Sequence, residues 1–538
     1  MSHPSRAMTR FWPWLCAALS GILLVLCFPP VNWGGLVWVA LIPLIVAVWF
    51  SKPWPRRDFL RLLLLGEITG AIYFLGSLHW ISCVTVPGFI LLGLYLGLYP
   101  AVWALFLPLV RPSDVTIEHQ GSLVVRKGWL TSRANLKAGL LAAAAWVGLE
   151  WLRGIVFTGF GWNGLGVALR DNLALIQICD ITGIGGVSFM VVLVNVILVA
   201  TIHRLRLEFG KHKLKPHYDF SFSVAVIAIV FAYGVNKILA PAPEATDLSI
   251  GAVQANIPIV EKRDPAQEQE ILDIHKRLSE AAIAMDVDLL IWPEAATPHP
   301  LFQHQASFDT VVDILHRHDA DFLLGTVHFT KEGDFNSAVL LTPNDKPPQF
   351  YHKNHLVPFG EYVPLRKSFP LFAWIVRDVV PEDFDFGPHP VVFQLSQKPI
   401  KIAPLICFED TVGNLARKFA LQGAQLFVTV TNDAWFLRSA GSEQHLANAI
   451  FRCIEMRRPM VRAANTGVTC VIDSVGRETK RLDDGKGNTF IEGVLIASVP
   501  VPNNPPTTFY ALNGEIFSVA CLAIAGLFVI PAIMRRRK

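Results

Sequence analysis

Charged side chains are scarce in this 538-residue sequence: Asp, Glu, Lys and Arg together make up 17% of it. Soluble globular domains run at about a quarter. Hydrophobic residues fill the shortfall, reaching 52%, and mean hydropathy is +0.42. Such a chain places much of itself in lipid, and its length predicts more than one folding unit. Nucleic acid is excluded as a partner, because the net charge is only +4 and no basic run accompanies a nucleic-acid-binding motif. No CxxC and no histidine-rich pattern is present, so no metal, nucleotide or other cofactor is expected. A disulfide framework is also absent. Cys16, Cys27, Cys83, Cys179 and Cys521 lie in or beside apolar runs, where cysteine acts as a small hydrophobe. Only Cys407, Cys453 and Cys470 fall in the polar part of the chain.

A helix needs about 20 mainly apolar residues to cross the hydrocarbon core. Runs of that kind fall near 11–28, 33–50, 60–83, 87–110, 137–153, 178–203, 221–240 and 514–533. The first has no small-residue cleavage site and another span follows almost at once, so it reads as a span and not a signal peptide. Basic residues favour the cytoplasmic side. They cluster at Arg6 and Arg10; at Lys52, Arg56, Arg57 and Arg61; and at Arg111, Arg126, Lys127, Arg133 and Lys137. Further clusters are Arg204, Arg206, Lys211, Lys213 and Lys215, then Arg535, Arg536, Arg537 and Lys538. The alternate loops 29–32 and 84–86 are uncharged, and only Arg153 and Arg170 break the pattern. Eight crossings follow, with both termini cytoplasmic. The expected organisation is a seven-helix bundle in 1–240, a domain outside the cytoplasm at 241–513, and a last helix with a basic tail in 514–538. Glu67, Glu150 and Asp180 are ionisable groups inside spans, which by default suggests function. For Glu150 the plainer reading is an i,i+3 ion pair with Arg153 near the outer boundary.

From Asp247 the texture changes to short β-rich runs alternating with amphipathic helices, the pattern of an α/β domain. Strands are expected at 248–253, 288–292, 322–327, 336–341, 400–406, 425–430, 460–464, 468–472 and 490–498. Helices are expected at 266–285, 306–318, 411–422 and 442–457. Three of the strands run into polar clusters: WPE at 292–294, CFED at 407–410 and TNDAW at 431–435. Sites in α/β folds gather at strand ends, so these clusters are candidates to converge.

Cys407 is the best candidate nucleophile. It follows the apolar run Ile402–Ile406, and backbone N–H groups beyond it can face an oxyanion. Standing alone, a cysteine is more often a buried structural thiol, as Cys453 and Cys470 are expected to be. A thiol also needs a base or a positive neighbour. His352 and His355 flank Lys353, so a Cys–His dyad is one arrangement. Glu294, half-buried against Trp292 at the end of Asp288–Trp292, is the better base for proton transfer. Lys353 then serves to lower the thiol pKa and to stabilise an oxyanion.

These residues sit inside longer strings: VQANIP (253–258), IWPE (291–294), YHKNHLVPFGEYVP (351–364), ICFED (406–410), TNDAWF (431–436) and RRPMVRAANTG (457–467). The set resembles the nitrilase superfamily and, more narrowly, the bacterial apolipoprotein N-acyltransferases. The membrane part contributes Glu150-Trp151-Leu152-Arg153-Gly154 followed by FTGFGWN (157–163), so the resemblance runs along essentially the whole chain. It implies a multi-pass bundle of eight transmembrane α-helices joined to an α/β nitrilase-like αββα sandwich. It further implies that Glu294 is the general base, Lys353 the oxyanion-stabilising lysine and Cys407 the acyl-accepting nucleophile. Glu361 and Glu409 match supporting glutamates, with Phe408 beside the cysteine. Phe359, Gly360 and Tyr362 match a mobile arm over the site. Arg263, Phe408, Leu437 and Gly161 depart from the family pattern, where tryptophan, tyrosine, glycine and proline are usual.

The implied reaction is ping-pong acyl transfer from a membrane phospholipid, through a Cys407 thioester, to the N-terminal amine of a diacylglyceryl lipoprotein. The resemblance also implies the cell (inner) membrane as location, with the catalytic domain on the outer, periplasmic side. The same triad would serve a membrane-tethered amidase or nitrilase with water as acceptor, and eight spans argue against that rival. A catalytically dead scaffold is the other alternative, and the intact triad argues against it.

Overall fold

The computed structural model describes residues 8–112, 116–119, 122–125, 128–209, 215–262, 264–343, 346–366, 368 and 382–536. The expectations on Arg6, Arg126, Lys127, Lys211, Lys213, Arg263, Arg537 and Lys538 lie outside them. The chain divides into two compact units: 1–82 with 86–239 and 515–538, and 83–85 with 240–514.

The first unit is helical. Its main helices are Met8–Leu26, Ile42–Phe50, Asp58–Ser77, Val86–Val110, Gly128–Arg153, Ile184–Phe209, Tyr218–Leu239 and Ile516–Arg536. Among the described residues, Asp58–Ser77, Val86–Val110, Ile184–Phe209 and Tyr218–Leu239 are long and apolar enough to cross a membrane. Phe11–Leu26, Gly34–Phe50, Leu173–Thr182 and Ile516–Ile530 are shorter apolar helical stretches. Helix Tyr218–Leu239 exposes Phe220, Phe222, Val224, Ile229 and Phe231, a texture suited to lipid and costly in water.

Two expected helices are interrupted, for a visible reason. The run at 33–50 breaks between a 3-10 turn, Gly34–Trp38, and the helix from Ile42. The buried Asn195 fills that gap: its Oδ1 accepts from Leu41 N–H at 3.0 Å and its Nδ2 donates to Val37 O at 2.9 Å. In a medium without water, a break of this kind persists only where a side chain replaces the missing backbone bonds. The run at 178–203 becomes two short helices, Leu173–Ile176 and Cys179–Thr182, before the long one begins at Ile184. Gly183, at φ +62, makes the turn between them. An unexpected hairpin, β1 (Thr116–His119) with β2 (Ser122–Val125), lies in the basic stretch after the fourth helix.

The proposed Glu150–Arg153 ion pair does not form. Glu150 Oε1 instead accepts from Leu165 N–H at 2.8 Å, and Arg153 Nη1 donates to Trp162 O at 2.9 Å. Both side chains therefore hold the chain that follows their helix, because free backbone groups there compete for them. Asp180 takes the Tyr233 hydroxyl at 2.7 Å and lies 3.6 Å from Lys237 Nζ.

The second unit is built on two six-stranded sheets. The first contains β3 (Ala245–Gln254), β4 (Leu289–Ile291), β5 (Asp321–Phe329), β6 (Asp334–Leu341), β7 (Gln349–His352) and β14 (Gly493–Pro502), in the order β14-β3-β4-β5-β6-β7. The second contains β8 (Phe393–Gln394), β9 (Lys401–Ile406), β10 (Leu426–Thr431), β11 (Met460–Ala464), β12 (Cys470–Ile472) and β13 (Glu478–Arg481), in the order β13-β12-β11-β10-β9-β8. β3, β4 and β5 run parallel, as do β9, β10 and β11. Every residue of β10 is buried, as expected of a strand covered on both faces. Helix Glu268–Ile283 packs Leu278, Ala282 and Ile283 against Leu290, Trp292 and Phe322 of the first sheet. Between the sheets, Thr469 Oγ1 donates to Gln254 Oε1 at 2.6 Å. The result is an α/β sandwich of two mixed sheets. The short strands β7, β8 and β13 were not expected; β13 reads Glu-Thr-Lys-Arg, the charged texture of a sheet edge.

Candidate active site

The three polar strand ends meet. β4 leads into Glu294, β9 into Cys407, and β10 into Asn432 and Asp433. The backbone N–H of Asn432 donates to Glu294 Oε2 at 3.0 Å, which joins the end of a central strand of one sheet to the end of a central strand of the other. Gly325 permits the Glu294 turn, since a Cβ there would stand 2.6 Å from Glu294 Cα. Cys407, partly exposed, sits at φ +53 where β9 passes into a 3-10 turn, Cys407–Thr411. A non-glycine residue in that conformation stores on the order of 1–3 kcal/mol, and such outliers cluster at functional sites. Burial and then the Glu294 carboxylate push the Cys407 thiol well above its ordinary range, while Lys353 opposes them. A base must therefore help to remove its proton.

Lys353 is almost completely buried, at 1% exposure. Its Nζ lies 2.9 Å from the Glu361 carboxylate and 3.5 Å from Glu294 Oε1. Burial alone would lower its pKa, yet Glu361, Glu294, Cys407 and Glu409 together hold it above the ordinary lysine value. The ammonium is a fixed positive charge. Asn336, which the sequence did not single out, donates from one Nδ2 to both Glu294 Oε1 (2.8 Å) and Glu361 Oε1 (2.7 Å). Lys262 Nζ comes within 3.5 Å of the Glu294 carbonyl, and burial, opposed by Glu294, brings its pKa down to about 8.

Glu409 is fully buried. Its Oε1 accepts from the Tyr351 hydroxyl (2.8 Å), Asn354 N–H (2.7 Å) and His355 N–H (2.9 Å), and its Oε2 from Ile406 N–H (2.9 Å). One carboxylate thus ties the segment carrying Lys353 to the residue preceding Cys407. Burial raises its pKa to about 7 against the pull of Lys353 and these donors.

The arm residues lie at the same place. Glu361 Oε2 accepts from Val357 N–H at 2.8 Å, and Phe359 N–H donates to Tyr362 O at 2.7 Å. Phe359 is at φ +60, Gly360 N–H donates to Val357 O, and the Tyr362 ring packs on Phe386. Neither flanking histidine is hydrogen-bonded to the thiol among the described residues. His352 Nδ1 faces Ser337 Oγ at 2.8 Å, and the His355 ring stacks on Phe408.

Beneath the cysteine turn lies a buried set of charges that sequence reasoning missed. His445 Nδ1 is 2.9 Å from Asp433 Oδ1, and its Nε2 is 3.0 Å from Asp410 Oδ1. Arg462 pairs with Asp410 and lies 3.9 Å from Asp433. All four side chains are at most 1% exposed. Burial alone would lower the His445 pKa, but Asp410 and Asp433 raise it to about 9. Asp410 lies in CFED, Asp433 in TNDAW and Arg462 in RRPMVRAANTG, so their positions were legible; His445, on a helix outside those strings, was not.

The departures from the family pattern have local accounts where they are described. Phe408 supplies the ring that stacks on His355. Gly161 has room for a side chain, since a Cβ added there would meet nothing nearer than Gly154 Cα, at 3.9 Å. Leu437 adopts φ +50 and ψ −157, close to a region that only glycine occupies at ease.

Comparison with known proteins matches residues 20–197 to the family model for the apolipoprotein N-acyltransferase N-terminal domain. Residues 249–503 match the carbon-nitrogen hydrolase family model. The chain is 35% identical to the apolipoprotein N-acyltransferase of Geobacter metallireducens, over 98% of this chain and 96% of that one. With the apolipoprotein N-acyltransferase of Chlorobaculum tepidum it shares 28% identity, over 99% and 98% of the two chains. Among solved structures, a mutant of the Nesterenkonia AN1 amidase from the nitrilase superfamily aligns with 49% of this chain and 93% of its own, at 17% identity and TM-score 0.36.

Two substitutions probe this geometry. His445→Gln leaves two buried aspartates facing one arginine, and loss of a partner in a buried ion pair costs about 3–5 kcal/mol. Thermal unfolding in detergent reads it. In the wild type the stabilisation from charged His445 is complete below its ordinary value of 6.5 and lost as pH rises through about 9. The variant's melting temperature should lack that alkaline decline. Leu437→Gly removes the strain and should raise stability by roughly 1 kcal/mol; an unchanged or lower melting temperature would show that Leu437 is unstrained.

Proposed function

The chain belongs to the apolipoprotein N-acyltransferase family, and from that premise we propose that Cys407, Glu294 and Lys353 perform its acyl transfer. The observation that carries this reading is the convergence of the Glu294 carboxylate and the buried Lys353 ammonium on the turn that holds Cys407.

Glu294 takes the proton from the Cys407 thiol, and the thiolate adds to an ester carbonyl of a membrane phospholipid. The resulting oxyanion is stabilised by the fixed charge of Lys353. As the tetrahedral centre collapses, the ester C–O bond breaks and the leaving glycerol oxygen takes the proton from Glu294. A lysophospholipid departs and a thioester remains on Cys407. The free α-amine of a diacylglyceryl-cysteine then attacks that thioester, giving up a proton to Glu294. The C–S bond breaks, the amide forms, and the cysteine sulfur recovers its proton. Glu361 holds Lys353 in place, Glu409 positions the turn before Cys407 with Phe408 beside it, and Phe359, Gly360 and Tyr362 form a movable cover.

The proposed topology is eight crossings, with both termini cytoplasmic and 241–513 on the outer side of the bacterial cell membrane. It rests on the basic residues of alternate loops.

The reaction is tested by intact mass. Wild-type protein incubated with a defined phospholipid should gain one acyl chain, labile to hydroxylamine, and Cys407→Ser should gain none. A diacylglyceryl peptide should discharge the adduct as an N-acylated product. No adduct on the wild type would remove phospholipid as donor, and discharge by water alone would favour the hydrolase. For topology, a single cysteine introduced at Lys331 should react with a membrane-impermeant maleimide in cells with a permeabilised outer envelope. One at Arg56 should react only after lysis; the reverse pattern inverts the assignment.

A further inference from the structure

The loop that leaves Glu294 carries a second group of chemically active side chains, which acyl transfer does not use. His299 lies on that loop, Glu268 opens helix Glu268–Ile283, and His304 caps helix Gln305–His316. His299 Nε2 is 2.5 Å from Glu268 Oε1. The His299 and His304 rings are 4.6 Å apart at their centroids and inclined by 56°. One ligand atom from each of the three residues lies within 4.8 Å of the other two.

We propose that Glu268, His299 and His304 form a binding site for a divalent transition-metal ion of the zinc class. The donor set is two imidazole nitrogens and one carboxylate oxygen, which suits zinc, copper and nickel and is a poor match for the all-oxygen shells of calcium and magnesium. With metal–ligand bonds of about 2.0–2.2 Å, the ligand atoms of a tetrahedral ion stand roughly 3.4 Å apart. The observed spacing reaches that arrangement through small side-chain movements. The Glu268–His299 contact lengthens and His304 draws in, with solvent as the fourth ligand.

Two features favour a site over a chance meeting of polar groups. The His304 ring is already placed, because Ser307 Oγ lies 2.9 Å from its Nδ1. With the ring proton on Nδ1 donated to that hydroxyl, in exchange for the 3.4 Å contact from Ser307 N–H, Nε2 is left to the ion, which is how metal-binding imidazoles are held. Access is also open: the side chains of His299 and Glu268 are 47% and 30% exposed, so an ion arrives without unfolding anything. The ligands come from two segments separate in sequence, the start of helix Glu268–Ile283 and the loop that leaves Glu294 and ends at His304. A bound ion would therefore staple the first turn of helix Glu268–Ile283 to the loop that leaves Glu294.

The test uses the full-length protein in detergent, expressed without a histidine tag and stripped with EDTA. Zinc binding is measured by equilibrium dialysis, and cobalt substitution reports the ligands by visible absorption. The wild type and Cys407→Ser should each bind one zinc with equal affinity and no thiolate-to-cobalt charge-transfer band. Since loss of a mere outer contact costs about 10–100-fold in affinity, the His299→Gln/His304→Gln double variant should bind more than about a hundredfold more weakly. Its metal-free circular dichroism should match that of the wild type, with a modestly lower melting temperature from the lost His304 cap. If the double variant does not fold, Glu268→Gln carries the same comparison. Absence of stoichiometric zinc on the wild type overturns the site, as does retained affinity in the ligand variants or its loss in Cys407→Ser.

Discussion

Everything at the candidate site hangs on the Glu409 carboxylate. A buried carboxylate is costly unless its oxygens are satisfied, and here the donors come from both sides of the site. Tyr351, Asn354 and His355 belong to the segment around Lys353, and Ile406 precedes Cys407. The chemistry needs an ammonium and a thiol at a fixed separation, though they lie on different sheets. Hydrophobic packing positions sheets to within the tolerance of side-chain rotamers. A carboxylate bound by four donors removes that remaining slack.

The same logic repeats one layer deeper. Asp410 and Asp433 follow the ends of neighbouring parallel strands, and both are neutralised by His445 and Arg462. Buried ion pairs contribute little net stability compared with apolar packing, but breaking one is expensive. Their value is geometric, because each permits only one arrangement of the turns after β9 and β10. The cost of the left-handed Cys407 conformation is met by this surrounding structure, which leaves the turn no cheaper alternative.

How much of this was legible depended on whether a feature is local. Apolar runs and alternating β texture mark elements directly, so the uninterrupted helices of the first unit and the long strands of the second fall near where expected. The interruption at 39–41 was not visible, because it depends on Asn195, far away in sequence. At the site, Glu294, Lys353 and Cys407 were recognisable from their strings. Asn336 was not, since a lone asparagine in a strand carries no signal until the fold places two carboxylates beside it. Glu150 and Arg153 were misread for the complementary reason. Helical spacing makes an ion pair available, but the backbone of the following segment offered both groups better partners.

The single amide nitrogen of Asn336 shared between two carboxylates makes the site an interlock. Any displacement of Phe359–Pro364 carries Glu361 away, and the Asn336 amide and Lys353 ammonium are then left to Glu294. The segment that carries Glu361 and the cation beside it are therefore one mechanical unit: Phe359–Pro364 cannot shift without releasing both the Asn336 hydrogen bond and the Lys353 contact.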